Sequence, residues 1–187
     1  MKATKNLAIM AVVSIVLTSC SKNSYLSSDL RLRDLHGNVE SVTMDFHTQV
    51  FDENGMTCTP NMIIERDSQN RMIKYACDDM LEDVGDMWFS EEFEYGADGN
   101  VSVYNKNTYF NYTGGHCYYD KDGHLTKLIA QGCGEDGGEW SSVTEYSILE
   151  SDEQGNWTKR KWHKVEESAE GTDERDGEDV RDIVYRK

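Results

Sequence analysis

Apolar and polar residues alternate along several stretches of the chain: at Val39, Val42, Met44 and Phe46, at Val101 and Val103, and at Trp140, Val143 and Tyr146. Successive side chains of a strand point to opposite sides, so this partial alternation predicts strands with one packed and one wet face. The segments 39–50, 56–64, 101–112, 125–129, 140–149 and 156–165 are rich in β-branched and aromatic residues and are the predicted strands, with Ile183 and Tyr185 in a closing one. Between them a polar pattern returns: Phe51-Asp52-Glu53-Asn54-Gly55, Arg66-Asp67-Ser68-Gln69-Asn70, Tyr95-Gly96-Ala97-Asp98-Gly99, Tyr119-Asp120-Lys121-Asp122-Gly123 and Ser151-Asp152-Glu153-Gln154-Gly155. An Asp at the first turn position accepts hydrogen bonds from the backbone two residues on, and Gly or Asn at the fourth takes the left-handed conformation that closes the turn. The expected fold is therefore all-β, an antiparallel meander of hairpins in mostly one sheet of about eight to eleven strands.

Helical signals are thin. Met80, Leu81 and Val84 have helical spacing, but five carboxylates in 78–86 favour a loop or one short turn, and 132–138 reads as a second loop. Residues 166–179 hold eight acids, one Arg and no apolar side chain larger than Ala169, which predicts an acidic mobile loop.

Residues 1–19 open with Lys2 and Lys5, run apolar from Leu7 to Leu17 and end at Leu17-Thr18-Ser19-Cys20. The 11-residue apolar run is too short to cross a bilayer, which takes roughly 20 residues, and predicts a secretory signal peptide. Its ending resembles the bacterial lipobox. The resemblance implies cleavage before Cys20 and acylation of its thiol, palmitate included, and more than one acyl chain gives stable anchoring. Residues 20–29 then form a lipidated polar tether and 30–187 the β domain. Ser21 stands where an Asp usually signals inner-membrane retention, so the outer membrane is implied. The tether has no acid before Asp29, which favours the periplasmic face over the cell surface.

Among 187 residues, 35 acids against 19 bases give a net charge of −16. Such a chain repels phosphate backbones, which excludes nucleic acid as a partner. In an oxidising compartment Cys58, Cys77, Cys117 and Cys133 are disulfide candidates with three possible pairings. A hairpin turning at 67–70 brings Cys58 within about two residues of Cys77 on the neighbouring strand and makes that bridge the preferred one. Cys117 with Cys133 follows by elimination, although the turn at 120–123 does not set them opposite. Free thiols are the alternative, and the lack of any Cys-x-x-Cys spacing argues against zinc.

The turns resemble the YD repeats of the RHS family, whose core Tyr-Asp-x-x-Gly-x-Leu is matched at Tyr119-Asp120-Lys121-Asp122-Gly123-His124-Leu125. Leu35-His36-Gly37-Asn38-Val39-Glu40-Ser41-Val42, Gly155-Asn156-Trp157-Thr158-Lys159-Arg160 and Arg181-Asp182-Ile183-Val184-Tyr185 are similar to segments of small RHS-repeat-like lipoproteins of Bacteroidetes. That likeness, over about residues 35–187, implies a meandering antiparallel envelope protein and carries no catalytic residue.

Direct signs of chemistry are few. His116 adjoins Cys117, but neighbours on a strand face opposite ways and cannot share a proton. No nucleophile elbow, phosphate loop, dinucleotide fingerprint or His-Glu-x-x-His helix is present. Asp120-x-Asp122-Gly123 resembles part of a calcium loop, but Tyr118 and Ile129 stand where ligands are needed. No metal or cofactor is expected. Tyr104, Tyr109, Tyr112, Tyr119 and Trp157 form a candidate ligand platform, since aromatic faces stack on sugars and peptides. The expected role is non-catalytic binding of an envelope protein or glycan, or a structural role, from a membrane tether. The alternative is a glycosidase-like hydrolase whose carboxylates are gathered only by the fold.

Overall fold

Five copies of one turn set the register of the sheet. Asp52, Asp67, Asp120 and Asp152 each accept, through Oδ1, the N–H groups two and four residues on at 2.8–3.0 Å. The fifth turn starts at Gly96 and uses Asp98, which accepts from the Asn100 N–H at 3.1 Å. Asn70, at the closing position, has φ +62° and needs the tolerance for left-handed backbone that Asn has beyond other residues with a Cβ. Every turn is closed by residues six apart: Phe51 with Thr57, Arg66 with Met72, Tyr95 with Val101, Tyr119 with Leu125 and Ser151 with Trp157. In the last four, the register then slips by one residue. That bulge turns the residue just after the turn toward the packed face, where Met72, Val101 and Trp157 are at most 4% exposed.

The computed structural model describes residues 25–44, 47–77, 89–108, 111–134 and 137–187. A short helix, α1 (Ser28–Leu32), precedes eleven strands: β1 (Val39–Met44), β2 (His47–Val50), β3 (Ile63–Arg66), β4 (Met72–Cys77), β5 (Phe89–Tyr95), β6 (Val101–Thr108), β7 (Tyr112–Tyr119), β8 (Leu125–Cys133), β9 (Glu139–Ser151), β10 (Trp157–Ser168) and β11 (Gly171–Tyr185). They form one antiparallel sheet in the order β2-β1-β11-β10-β9-β8-β7-β6-β5-β4-β3. Hairpins link β3 to β11 in sequence, and the first hairpin, β1–β2, joins the far side of the last strand.

A single sheet needs something to cover its apolar side. Here the cover is the strap of residues 25–36. Leu30 and Leu35 pack with Val39, Val42 and Phe51, while Leu32 packs against Met72, Tyr75, Phe93 and Val101. Asp29 pairs with Arg66 at 2.7 Å and accepts the Thr57 N–H. Arg31 reaches Asn100, and Arg33 bonds Gln49 and Glu91. One short segment thus touches turns and strands from β2 to β11, which requires the sheet to curve around it. The His47 ring of β2 accordingly lies 5.5 Å from Phe89 of β5. Arg181 holds the seam: 4% exposed, it donates to the carbonyls of Trp157, Arg33 and Asp34 at 2.6–2.8 Å.

Several expectations are corrected. Residues 25–29, assigned to the tether, are part of the fold, with Asp29 fully buried and Ser27 capping a helix the sequence reading missed. Residues 166–179, expected to be a mobile loop, are the paired arms of β10 and β11. The strand predicted over 39–50 is the hairpin β1–β2, and that over 56–64 reduces to β3, because Pro60 and the left-handed Asn61 interrupt it. The 78–86 loop, Phe46 and Cys20 lie outside the described residues.

The four described cysteines are free thiols, so the expected bridges are absent. Cys58 follows β2, its N–H donating to the Val50 carbonyl, and so never enters the strand beside Cys77. Cys117 and Cys133 lie on opposite faces, five pairs apart along β7–β8, or about 16 Å.

Two measurements check this frame. Alkylation without reduction should modify exposed Cys58 first and Cys117 last, because burial pushes the Cys117 thiol up to about 11; recovery of a Cys58 to Cys77 disulfide peptide contradicts the assignment. Arg181→Ala strands three buried carbonyls and should cost about 3 kcal/mol in urea unfolding; a loss below about 1 kcal/mol contradicts the seam.

Candidate functional site

The register fixes which side chains share a face. Tyr75, Glu91, Phe93, Tyr104 and Cys117 lie on the inner face with the strap, and the residues between them point outward. On the inner face Arg33 and Glu91 form a partly buried pair 2.9 Å apart. Burial works against the Glu91 carboxylate, yet Arg33, Lys106 and the Tyr104 hydroxyl hold its pKa below the ordinary range. This polar core has every oxygen engaged and serves the fold.

Farther along, β9, β10 and β11 are long, and among the described residues their inner face is covered by its own side chains. Arg160 stacks 4.3 Å over Tyr146 and 4.4 Å over Trp157, and Lys164 lies 5.1 Å over Trp140. Trp162 lies so close to β11 that a Cβ at Gly177 would come within 2.2 Å of its ring.

The outer face of these strands carries no second layer among the described residues. One cross-strand row runs Val103, His116, Ile129, Val143, Val165 and Glu174 from β6 to β11. The next runs Tyr118, Lys127, Glu145, His163 and Asp176. Tyr118 is 48% and Ile129 38% exposed, and they are diagonal neighbours. An apolar row flanked by alternating charges is a binding surface in composition.

Beyond these rows, at the strand ends away from the Asp turns, a hollow of about 570 Å³ is lined by Tyr112, Gln131, Glu139, Trp140, Ser141 and Glu167, among others. Glu167 is opposite Ser141, two positions from Glu139, so the glutamates are diagonal neighbours on one face.

A third cluster sits where the strap crosses the turns. Asp34, strained at φ +53°, accepts from Tyr25 and lies 2.9 Å from His124 Nδ1. His36 stacks on Tyr25 at 4.2 Å, and its Nδ1 is buried with no hydrogen-bond partner among the described residues. The hydrogen bond that His124 donates to Asp34 raises the His124 pKa, with Asp120 and Asp122 adding to it. Burial lowers that of His36, with Asp34 and Asp152 opposing and His124 and Arg181 reinforcing.

The five aromatic residues expected to form a platform are not brought together. Tyr104 is on the inner face, bonded to Glu91, and Tyr119 is on the same face, whereas Tyr112 is outside and 40% exposed. Trp157 is buried between Arg160 and Arg181, and Tyr109 lies outside the described residues. No group of three His, Cys, Asp or Glu able to hold a metal occurs among the described residues. The exposed row was not singled out in the sequence because alternation marks two faces of a strand alike; only register separates them. Compared with known proteins, the chain matches no family model and no curated protein.

The strap cluster has a titration signature. His124 has a folded pKa above its ordinary 6.5, so its contribution to stability is complete below 6.5 and lost as pH rises through the folded value. His36 has a folded pKa below 6.5, so its contribution is present above 6.5 and lost as pH falls through the folded value. The stability difference between wild type and His124→Gln should therefore shrink as pH rises from 6 to 9, followed by urea unfolding. A difference independent of pH contradicts the Asp34 to His124 pairing.

Proposed function

We propose that this chain is a non-catalytic envelope lipoprotein, anchored to the outer membrane through Cys20 and facing the periplasm, that binds a protein or glycan partner on its sheet. The observation that carries this reading is the outer face of β6–β11, which no second layer covers among the described residues and where the row Val103, Ile129, Val143 and Val165 is flanked by Tyr118 and alternating charges. An apolar row left open on a single-layer sheet fits a partner surface better than a core. The lipobox-like Leu17-Thr18-Ser19-Cys20 supports the anchor. The fivefold recurrence of one turn supports kinship with YD-repeat proteins, whose sheets serve as scaffolds.

The second reading, a hydrolase, draws on Glu139 and Glu167 beside the hollow. They lie on neighbouring strands on one face of the sheet, and a glycosidase needs two carboxylates flanking the scissile bond; Trp140 lines the same hollow.

Crosslinking of the intact lipoprotein in its own envelope should join a partner to β7–β10, and Ile129→Glu with Val143→Glu should abolish the crosslink while the protein stays folded. Cys20→Ser should release the protein from the membrane fraction. Hydrolysis of a glycoside panel that disappears in Glu139→Gln or Glu167→Gln, with no crosslinked partner, replaces binding by the enzyme reading.

A further inference from the structure

The last strand is longer than its neighbour on one side. β10 pairs with β11 along Gly171–Val180, but β1 reaches only Arg181–Tyr185. Among the described residues, nothing pairs with 172–180 on the side away from β10. In an antiparallel strand, alternate residues direct N–H and C=O to each side, so this stretch, about 30 Å long, presents a ladder of open donors and acceptors.

Natural edges are blunted by shortness, proline, bulges, covering segments or charge, which turns away strands of like charge. This one has no proline, and its pairing with β10 continues through all of 171–180 without a register shift. What it has is charge. Asp173, Glu174, Asp176, Glu178 and Asp179 stand against Arg175 alone. On the outer face Glu174, Asp176 and Glu178 follow at every second position, with side chains 70%, 84% and 52% exposed.

Three carboxylates at that spacing match the side chains that an added strand presents to one face. β10 shows the chemistry they accept: Lys159 pairs with Glu178 at 2.8 Å, and Lys161 and His163 lie opposite Glu178 and Asp176. A second copy does not fit, because two β11 edges side by side set acid against acid.

We propose that the free edge of β11 receives, as a twelfth antiparallel strand, an extended segment of a partner protein with Lys or Arg at alternate positions. Main-chain hydrogen bonds give the affinity and the outer-face acids the selectivity. The inference rests on the reading of the protein as a binding module and specifies how one partner engages it.

The test uses the full chain in detergent micelles and two ten-residue peptides of alternating Lys and Thr, one N-methylated at alternate amides. The unmodified peptide should slow amide exchange at 172–180 at least tenfold. Its affinity at 0.15 M salt should fall at least tenfold on N-methylation, and again in Glu174→Lys with Asp176→Lys. Equal binding of the N-methylated peptide, or protection confined to other strands, overturns the proposal. Envelope crosslinks that map to β7–β10 while 172–180 stays unprotected by the peptide leave the binding reading standing and reject the strand addition alone.

Discussion

Everything in this fold depends on how one sheet covers its own apolar side. Among the described residues no second sheet packs on it, and the one helix has five residues. Residues 25–36 do the work, and they hold their place mainly by charge and hydrogen bonds. Asp29 engages Arg66, Arg31 engages Asn100, Asp34 engages His124, and the backbone of His36 is bracketed by Asn156. Three of these partners, Asn100, His124 and Asn156, immediately follow a turn glycine. The repeated turn therefore fixes strand register and also aligns polar side chains along one rim for the strap to engage.

Arg181 shows how the ends are tied. It is buried with no carboxylate bonded to it, so burial draws its pKa down to about 10. Three carbonyls compensate, one from β10 and two from the strap. A lysine, with a single nitrogen, does not span those acceptors in the same way as a forked guanidinium. The pairing of β1 with β11, the one connection that sequence adjacency does not supply, is made at this arginine.

The turns were legible because each is local: in four of the five an Asp and a Gly or Asn three apart suffice to specify the bonds, and in the fifth Asp98 and Gly99 do so. Strand existence was legible for the same reason. The strap was not, because Asp29, Arg31 and Arg33 look like solvated residues until their distant partners are known. The leucines between them, Leu30, Leu32 and Leu35, were the available signal. Cys58 was misplaced because register was extrapolated across Pro60, where the strand stops. The candidate surface was hidden for a related reason, since alternation marks two faces without saying which is covered.

The acidic segment 166–179 carries the more general lesson. By composition it cannot bury enough apolar area to order itself. It is ordered in part because β10 brings Lys159, Arg160, Lys161 and His163 against Glu178, Asp179 and Asp176, so that repulsion within one strand is offset by attraction across two. Solvent screening leaves each of these pairs weak on its own, but the array favours one partner strand over any other. Because β1 is short, the same carboxylates continue past their last neighbour into solvent. A segment whose order depends on a complementary strand on one side thus ends with its other side unmatched. The charge that selects β10 within the chain also opposes pairing between copies of the chain.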